Sequence, residues 1–159
     1  MMEVEIRIAT LDDARTISEI SRRAYVPAYE AAIGAIPKPA TEDYTSRIQS
    51  VCVWLAETDG LAAGVLVIEK FPEYLLIYSV AVDPARQGQG LGAKLLKYAE
   101  KIAAREGLRD LRLYTNSRMK RNLSLYNRAG FKEFARRPHP SRPGHVLVDM
   151  SKRVDGTSD

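Results

Sequence analysis

Cysteine is nearly missing from this sequence: Cys52 stands alone, so no disulfide can form within the chain. The shortage fits a reducing compartment. Histidine is scarce as well, with only His139 and His145. Two histidines without companion cysteines give no basis for a metal site, and none is expected. Both sit in a proline-rich loop, His139-Pro140-Ser141-Arg142-Pro143-Gly144-His145, and read as solvated. No apolar run is long enough for a membrane span. The longest, Tyr74 to Val82, falls far short of the roughly 20 residues required. The start, MMEVEIRIAT, has no basic n-region leading into an apolar h-region, so a signal peptide is not expected. A soluble, cytoplasmic protein without a membrane partner is the resulting expectation. Charge of one sign is not in large excess either. Lys and Arg number 24 against 20 Asp and Glu, a net charge of +4. That suits an anionic cofactor but is too small to imply nucleic acid. The basic segments 118–121 and 136–142 also lack interleaved aromatics, so no nucleic-acid partner is expected.

What is present is an ordinary globular composition, 45% hydrophobic and 28% charged over 159 residues. That is enough chain to bury one core without staples. One domain is expected over residues 1–154, with a frayed tail at 155–159.

Periodicity divides the chain further. Val4, Ile6 and Ile8 alternate with charged residues and predict a strand. Thr10 caps a helix with acids in its first turn, and Leu11, Ala14, Ile17, Ile20 and Ala24 follow at helical spacing. Pro27 is expected to close or kink this helix, and residues 28–40 read as a loop. Thr41 is expected to cap a short helix through Ile48. Strands follow at 51–57 and 63–71, joined by the turn Thr58-Asp59-Gly60. Cys52 falls in the first of these and reads as inert packing. Tyr74 to Val82 is a strongly apolar, central strand. Residues 90–106 form an amphipathic helix with Leu91, Leu95, Leu96, Ala99 and Ile102 inward, capped by Gly107. A strand at 111–114, a helix at 122–129 and strands at 131–136 and 145–150 complete the order. The class is mixed α/β: antiparallel strands first, then a strand-helix-strand crossover.

The segment from Val80 to Lys94 carries the chemistry. A buried strand runs through Asp83-Pro84 into a turn with Gly88, Gly90 and Gly92, and the turn opens a helix. Amides at a helix start lack intrahelical partners, and the dipole there favours negative charge. Glycines let that backbone approach a phosphate closely. Three glycines also cost helix stability, which favours an anion site over simple tight packing. A Walker A loop is excluded, because Lys94 is followed by Leu95 rather than Ser or Thr. Gly88, Gly90 and Ala93 do satisfy G-x-G-x-x-A. However, three or four strands precede them, and the next strand ends in Tyr114-Thr115-Asn116 with no acid for a ribose. A dinucleotide-binding domain therefore stays open as a weaker alternative.

Gln87-Gly88-Gln89-Gly90-Leu91-Gly92 resembles the Gln/Arg-x-x-Gly-x-Gly/Ala pattern of the GNAT N-acetyltransferase family. Val82-Asp83-Pro84 before it and Leu95-Leu96 after it look like that family too. A second segment, Leu123-Ser124-Leu125-Tyr126-Asn127-Arg128-Ala129-Gly130-Phe131, is similar to the family's leucine-tyrosine, three residues, glycine-phenylalanine run. The two segments stand in family order about 35 to 40 residues apart, and the element order fits over nearly the whole chain. The resemblance implies the GNAT acyl-CoA transferase fold: a mostly antiparallel central sheet of about seven strands with about four helices. It implies an acetyl-CoA-dependent N-acetyltransferase working by direct attack in a ternary complex. Amides of Gln87, Gly88, Gln89, Gly90, Leu91, Gly92 and Ala93 would hold the pyrophosphate. The strand edge at Val80, Ala81 and Val82 would hold the pantetheine arm. Tyr126 would protonate the departing thiolate. The family often carries an asparagine seven residues before this tyrosine. Met119 stands there instead, with Asn116 and Asn122 nearby as replacements.

The acceptor side is less legible. The implied partner is a small-molecule or peptide amine, and a homodimer is left open. Tyr25, Tyr29 and Tyr44 flank the loop that lines the acceptor pocket in this family, and Tyr78 lies on the central strand. The sequence does not identify the general base: Tyr78, Ser79 and Glu73 are candidates to guide a water that takes the amine proton, and each reads more simply as core or turn structure. A catalytically silent acyl-CoA-binding domain of the same fold is the alternative from another class.

Overall fold

A computed structural model describes residues 3–155. Of the tail expected to fray, residues 156–159 lie outside the described residues. The chain gathers into two compact units, one of residues up to Ile68 with Ser79–Lys97, the other of Glu69–Tyr78 with residues from Tyr98 on.

In the first unit, β1 (Val4–Ile8) runs antiparallel to β2 (Val53–Thr58), with Val4 opposite Thr58 and Ile8 opposite Trp54. Strand β2 pairs antiparallel with β3 (Leu61–Lys70), from Val53 opposite Val67 to Thr58 opposite Leu61. Asp59 and Gly60 join them with φ of 53° and 76°. Two left-handed residues make the hairpin turn whose twist matches the strands, as the Asp-Gly pair predicts.

A 3-10 turn at Leu11–Asp13 leads into α1 (Ala14–Ile33). The Thr10 N–H donates to the Asp13 carboxylate at 2.8 Å, which ties off the helix start. Ile17 and Ile20 are buried on its inner face. The helix does not stop at Pro27. It continues to Ile33 and ends at Gly34, whose φ of 67° lets its N–H reach the Tyr29 and Glu30 carbonyls. Proline costs the helix one backbone bond, but a helix anchored by tertiary contacts can absorb that loss. The expected loop at 28–40 is thus half helix. The second helix, α2 (Thr45–Gln49), also starts later than expected, because Asp43 rather than Thr41 takes its first N–H, at 3.0 Å. Cys52 lies outside β2, one residue before the strand begins. It is half-buried before β2, with Sγ 3.4 Å from the Ser50 carbonyl.

In the second unit, β5 (Asp110–Asn116) pairs parallel with β4 (Leu75–Val82) at Leu75 opposite Leu111 and Leu76 opposite Arg112. It pairs antiparallel with β7 (Val146–Arg153), which pairs antiparallel with β6 (Lys132–Pro138). Helix α4 (Lys120–Arg128) lies between β5 and β6 in sequence. Strand β4 and helix α3 (Leu91–Arg105) contribute residues to both units. The hydrogen-bonded order of the seven strands is β1-β2-β3-β4-β5-β7-β6. Leu91, Leu95, Leu96, Ala99 and Ile102 of α3 are all buried, as their spacing predicts. Gly107, at φ 74°, closes α3. It allows the Leu108 N–H to reach back to the Ala103 carbonyl at 2.9 Å.

Candidate functional site

The glycine turn is held by a rigid corner. The Asp83 N–H donates to the Ala63 carbonyl at 2.8 Å, carrying β4 one residue past its end. The Asp83 carboxylate accepts from the Ala85 N–H at 3.1 Å and from Arg23 of α1 at 2.8 Å. Burial pushes this carboxyl up, but the Ala85 N–H and the Arg23 guanidinium outweigh it and hold it below its ordinary value. Arg86 donates to Oγ1 of buried Thr58 at 2.6 Å. Both ends of Pro84–Arg86 are therefore fixed before the glycines begin.

Gly88 and Gly90 take φ of 84° and 78°, values that L side chains rarely adopt. A Cβ built on either meets no heavy atom within 4 Å. The turn Gln87–Gly90 is exposed. The Lys94 N–H is bonded to the Gly90 carbonyl at 3.1 Å, so Gly90 occupies the cap position of α3. The amides of Leu91, Gly92 and Ala93 then have no acceptor within the helix. Open backbone, unpaired donors and the positive end of the helix dipole coincide, which is the electrostatic description of an anion cradle.

One glycine that sequence reasoning passed over supports this turn. A Cβ on Gly64 of β3 would stand 3.0 Å from Leu95 Cδ1 and 3.3 Å from the Ala81 carbonyl oxygen. Its absence lets α3 seat on the strands. The available signal was an isolated glycine inside an apolar strand.

Along β4 the side chains alternate, with Leu75, Ile77, Ser79 and Ala81 buried and Tyr78, Val80 and Val82 half-buried. Tyr25 reaches this strand from α1. Its hydroxyl donates to the Val80 carbonyl at 3.2 Å and lies 2.7 Å from Ser79 Oγ. A carbonyl can only accept, so the single phenol proton goes to Val80, and the Ser79 hydroxyl supplies the other bond. Any proton passed along this chain ends at a carbonyl, which makes Ser79 a poor base. Glu73 is exposed on the turn before β4. Tyr29 packs edge-on against Tyr25, with centroids 5.7 Å apart. Tyr44 is only 1% exposed and its hydroxyl donates to the Pro39 carbonyl at 2.5 Å. Burial pushes its phenol up to about 12.

In the second unit, the Asn116 Oδ1 accepts the Arg118 N–H at 3.0 Å. That orients the carboxamide so that Nδ2 faces His145 Nδ1, also at 3.0 Å. His145 Nδ1 must then accept, which places its neutral-form proton on Nε2. Burial, with Arg118 and Arg142 nearby, holds this imidazole below its ordinary value. The histidines expected to be solvated are thus half-buried, and sequence spacing alone gave no hint of the Asn116–His145 bond. Asn122 Nδ2 donates to Thr115 Oγ1 at 3.3 Å. Met119 is buried, at the cap of α4. Tyr126 lies on α4, half-buried, with its ring edge-on to buried Phe131 at 6.3 Å. The Phe131 N–H returns to the Tyr126 carbonyl at 3.0 Å across Gly130, whose φ is 96°. Arg136 and Arg137 pair with Glu133 and Asp149. Among the described residues no group of three or more His, Cys, Asp or Glu could hold a metal, and no helix is long and apolar enough to cross a membrane.

Residues 15–131 match the model of the acetyltransferase (GNAT) family. The N-acetyltransferase family 8 member 2 of Rattus norvegicus is 27% identical over 111 residues, which cover 66% of this chain and 45% of that protein. The mycothiol acetyltransferase of Clavibacter michiganensis is 33% identical over 79 residues, covering 50% of this chain and 26% of that protein. The matches thus span less than half the length of these curated relatives. The ribosomal-protein-S18-alanine N-acetyltransferase of Escherichia coli superposes with a TM-score of 0.78 at 19% identity, covering 99% of this chain and 97% of that one. The PaiA N-acetyltransferase of Thermoplasma acidophilum, solved in complex with coenzyme A, superposes with a TM-score of 0.74 at 20% identity, covering 96% and 99%. The fold is the one these structures share.

Proposed function

The chain belongs to the GNAT acetyltransferase family, and on that premise we propose that it moves an acetyl group from acetyl-CoA to a primary amine by direct attack. The observation that carries this reading is the turn Gln87–Ala93: left-handed Gly88 and Gly90 with nothing over them, opening onto the unpaired amides of α3. Such a cradle suits a pyrophosphate. The pantetheine arm then runs back along β4 from Val82 towards Val80. The carboxamides of Asn116 and Asn122, the replacements expected for the family's asparagine, are bonded within the second unit, to Arg118 and His145 and to Thr115.

Attack requires a neutral amine. Its nitrogen bonds to the thioester carbon, the C–S bond breaks, the nitrogen loses a proton and the thiolate gains one. On the family resemblance Tyr126 supplies the proton to the thiolate. A phenol titrating near 10 is matched to an alkyl thiol. The acceptor is a small-molecule or peptide amine.

Calorimetry with acetyl-CoA and NADH, followed by thiol release over a panel of amino acids, polyamines, aminoglycosides and peptides, tests the reading. Acetyl-CoA should bind far more tightly than NADH, and one amine class should release CoA. Preference for NADH would overturn it in favour of a dinucleotide site. Tight acetyl-CoA binding without release would leave the silent binding domain.

A further inference from the structure

Tyr25 meets β4 at one particular place. Going back along the strand from the glycine turn, Val82 comes first, then Ala81, then Val80, each about 3.3 Å further on. At Val80 the strand's carbonyl accepts from the Tyr25 hydroxyl at 3.2 Å, and the Tyr25 hydroxyl oxygen lies 2.7 Å from Ser79 Oγ. Ser79 is 2% exposed, so this end of the bond is fixed within the core. The edge contact with Tyr29 at 5.7 Å steadies the ring from its own helix. Three contacts therefore hold one aromatic ring against the backbone two residues before Val82.

We propose that Tyr25 ends the acyl-donor site and selects a short acyl group. The inference rests on the placement of the pantetheine arm along β4. An arm that follows the strand from the turn has its thioester end where Tyr25 meets Ser79 and Val80. An acetyl group stops short of the ring. A butyryl group, with two more methylenes, must displace the ring and break both hydroxyl contacts. Tyr25 is a specificity-determining residue in this account, not a proton carrier, because its proton is spent on the Val80 carbonyl.

The test is binding of acetyl-, propionyl- and butyryl-CoA to the full chain by calorimetry, for the wild type, Tyr25→Phe and Tyr25→Ala. The wild type should bind butyryl-CoA at least about 10-fold more weakly than acetyl-CoA, the low end for pocket discrimination of added methylenes. Tyr25→Ala should bring the two affinities within about 2-fold. Tyr25→Phe keeps the ring and loses the hydroxyl contacts, so its ratio should fall between. A purely structural role would lower all three affinities together and leave their ratios alone, and that result would overturn the proposal. So would a wild type that binds all three equally. Should Tyr25→Ala fail to fold, the Tyr25→Phe ratio decides, and an unchanged value there counts against the proposal. A wild type that binds no acyl-CoA at all would instead refute the donor placement on which the proposal rests.

Discussion

Gly64 and Leu95 are packed closely: a Cβ on Gly64 would stand 3.0 Å from Leu95 Cδ1, so the leucine side chain would have to give way by a few tenths of an ångström. Leu95 is fully buried, and the same Cβ would stand 3.3 Å from the Ala81 carbonyl oxygen. Gly64→Val should therefore destabilise the protein by about 1–3 kcal/mol, the scale of overpacking. Leu95 belongs to α3, whose start forms the anion cradle, so acetyl-CoA affinity should fall as well. Denaturant unfolding and calorimetry on the same variant would show both losses. A variant with wild-type stability would mean that the helix seats differently.

Gly90 separates strain from charge. Nothing crowds its missing Cβ, so a side chain there costs only the left-handed φ of 78°. Asn and Asp both enter that region more readily than other side chains. Gly90→Asn should thus keep measurable acetyl-CoA binding, whereas Gly90→Asp should abolish it by placing a carboxylate in the anion cradle. Equal affinities for the two variants, measured by calorimetry, would remove the pyrophosphate from this turn.

Tyr126 keeps its packing when only its hydroxyl is removed. The edge contact with Phe131 uses the ring, which Tyr126→Phe retains. That variant should lose roughly 10- to 1000-fold in kcat, the scale of a missing general acid, with acetyl-CoA affinity and Tm nearly unchanged. Full kcat under conditions where chemistry limits turnover would leave solvent as the proton donor.

Asp13 supplies an acid-sensitive stability term. The Arg7 guanidinium bonds both its oxygens at 2.9 Å and the Thr10 N–H adds a third bond. Arg7 first, then Thr10, outweigh burial and lower the carboxyl from 3.8 to about 2. A depressed folded pKa stabilises above the unfolded value, and the gain is lost as pH falls from 3.8 towards 2. Asp13→Asn should cost about 1–2 kcal/mol at neutral pH, after allowance for solvent screening, and flatten the acid limb of the stability curve. Unfolding midpoints measured from pH 5 to about pH 2 would check the slope. A variant whose acid limb matches the wild type would transfer the effect to another group.

The sequence by itself determined the features that depend on local backbone chemistry. The Asp59-Gly60 hairpin, the glycine turn from Gln87, the amphipathic α3 closed by Gly107 and the Tyr126–Phe131 segment all follow from residue types at short range. Positive φ, helix capping and periodicity are near-neighbour effects, and they need no knowledge of the rest of the chain. Tertiary structure decided what long-range contacts settle. Pro27 marks a local cost, yet α1 runs on to Ile33: beyond the proline Tyr29 packs edge-on against Tyr25, which is anchored on β4, and the Gly34 N–H closes the helix on the Tyr29 and Glu30 carbonyls. Tyr44 reads as a pocket tyrosine in sequence, but folding gives it a buried ring bonded to Pro39. The bonds from Tyr25 to Val80, from Arg23 to Asp83 and from Asn116 to His145 join residues 29 or more positions apart. No periodicity encodes such pairs, since which side chains meet is fixed only when the strands and helices have packed.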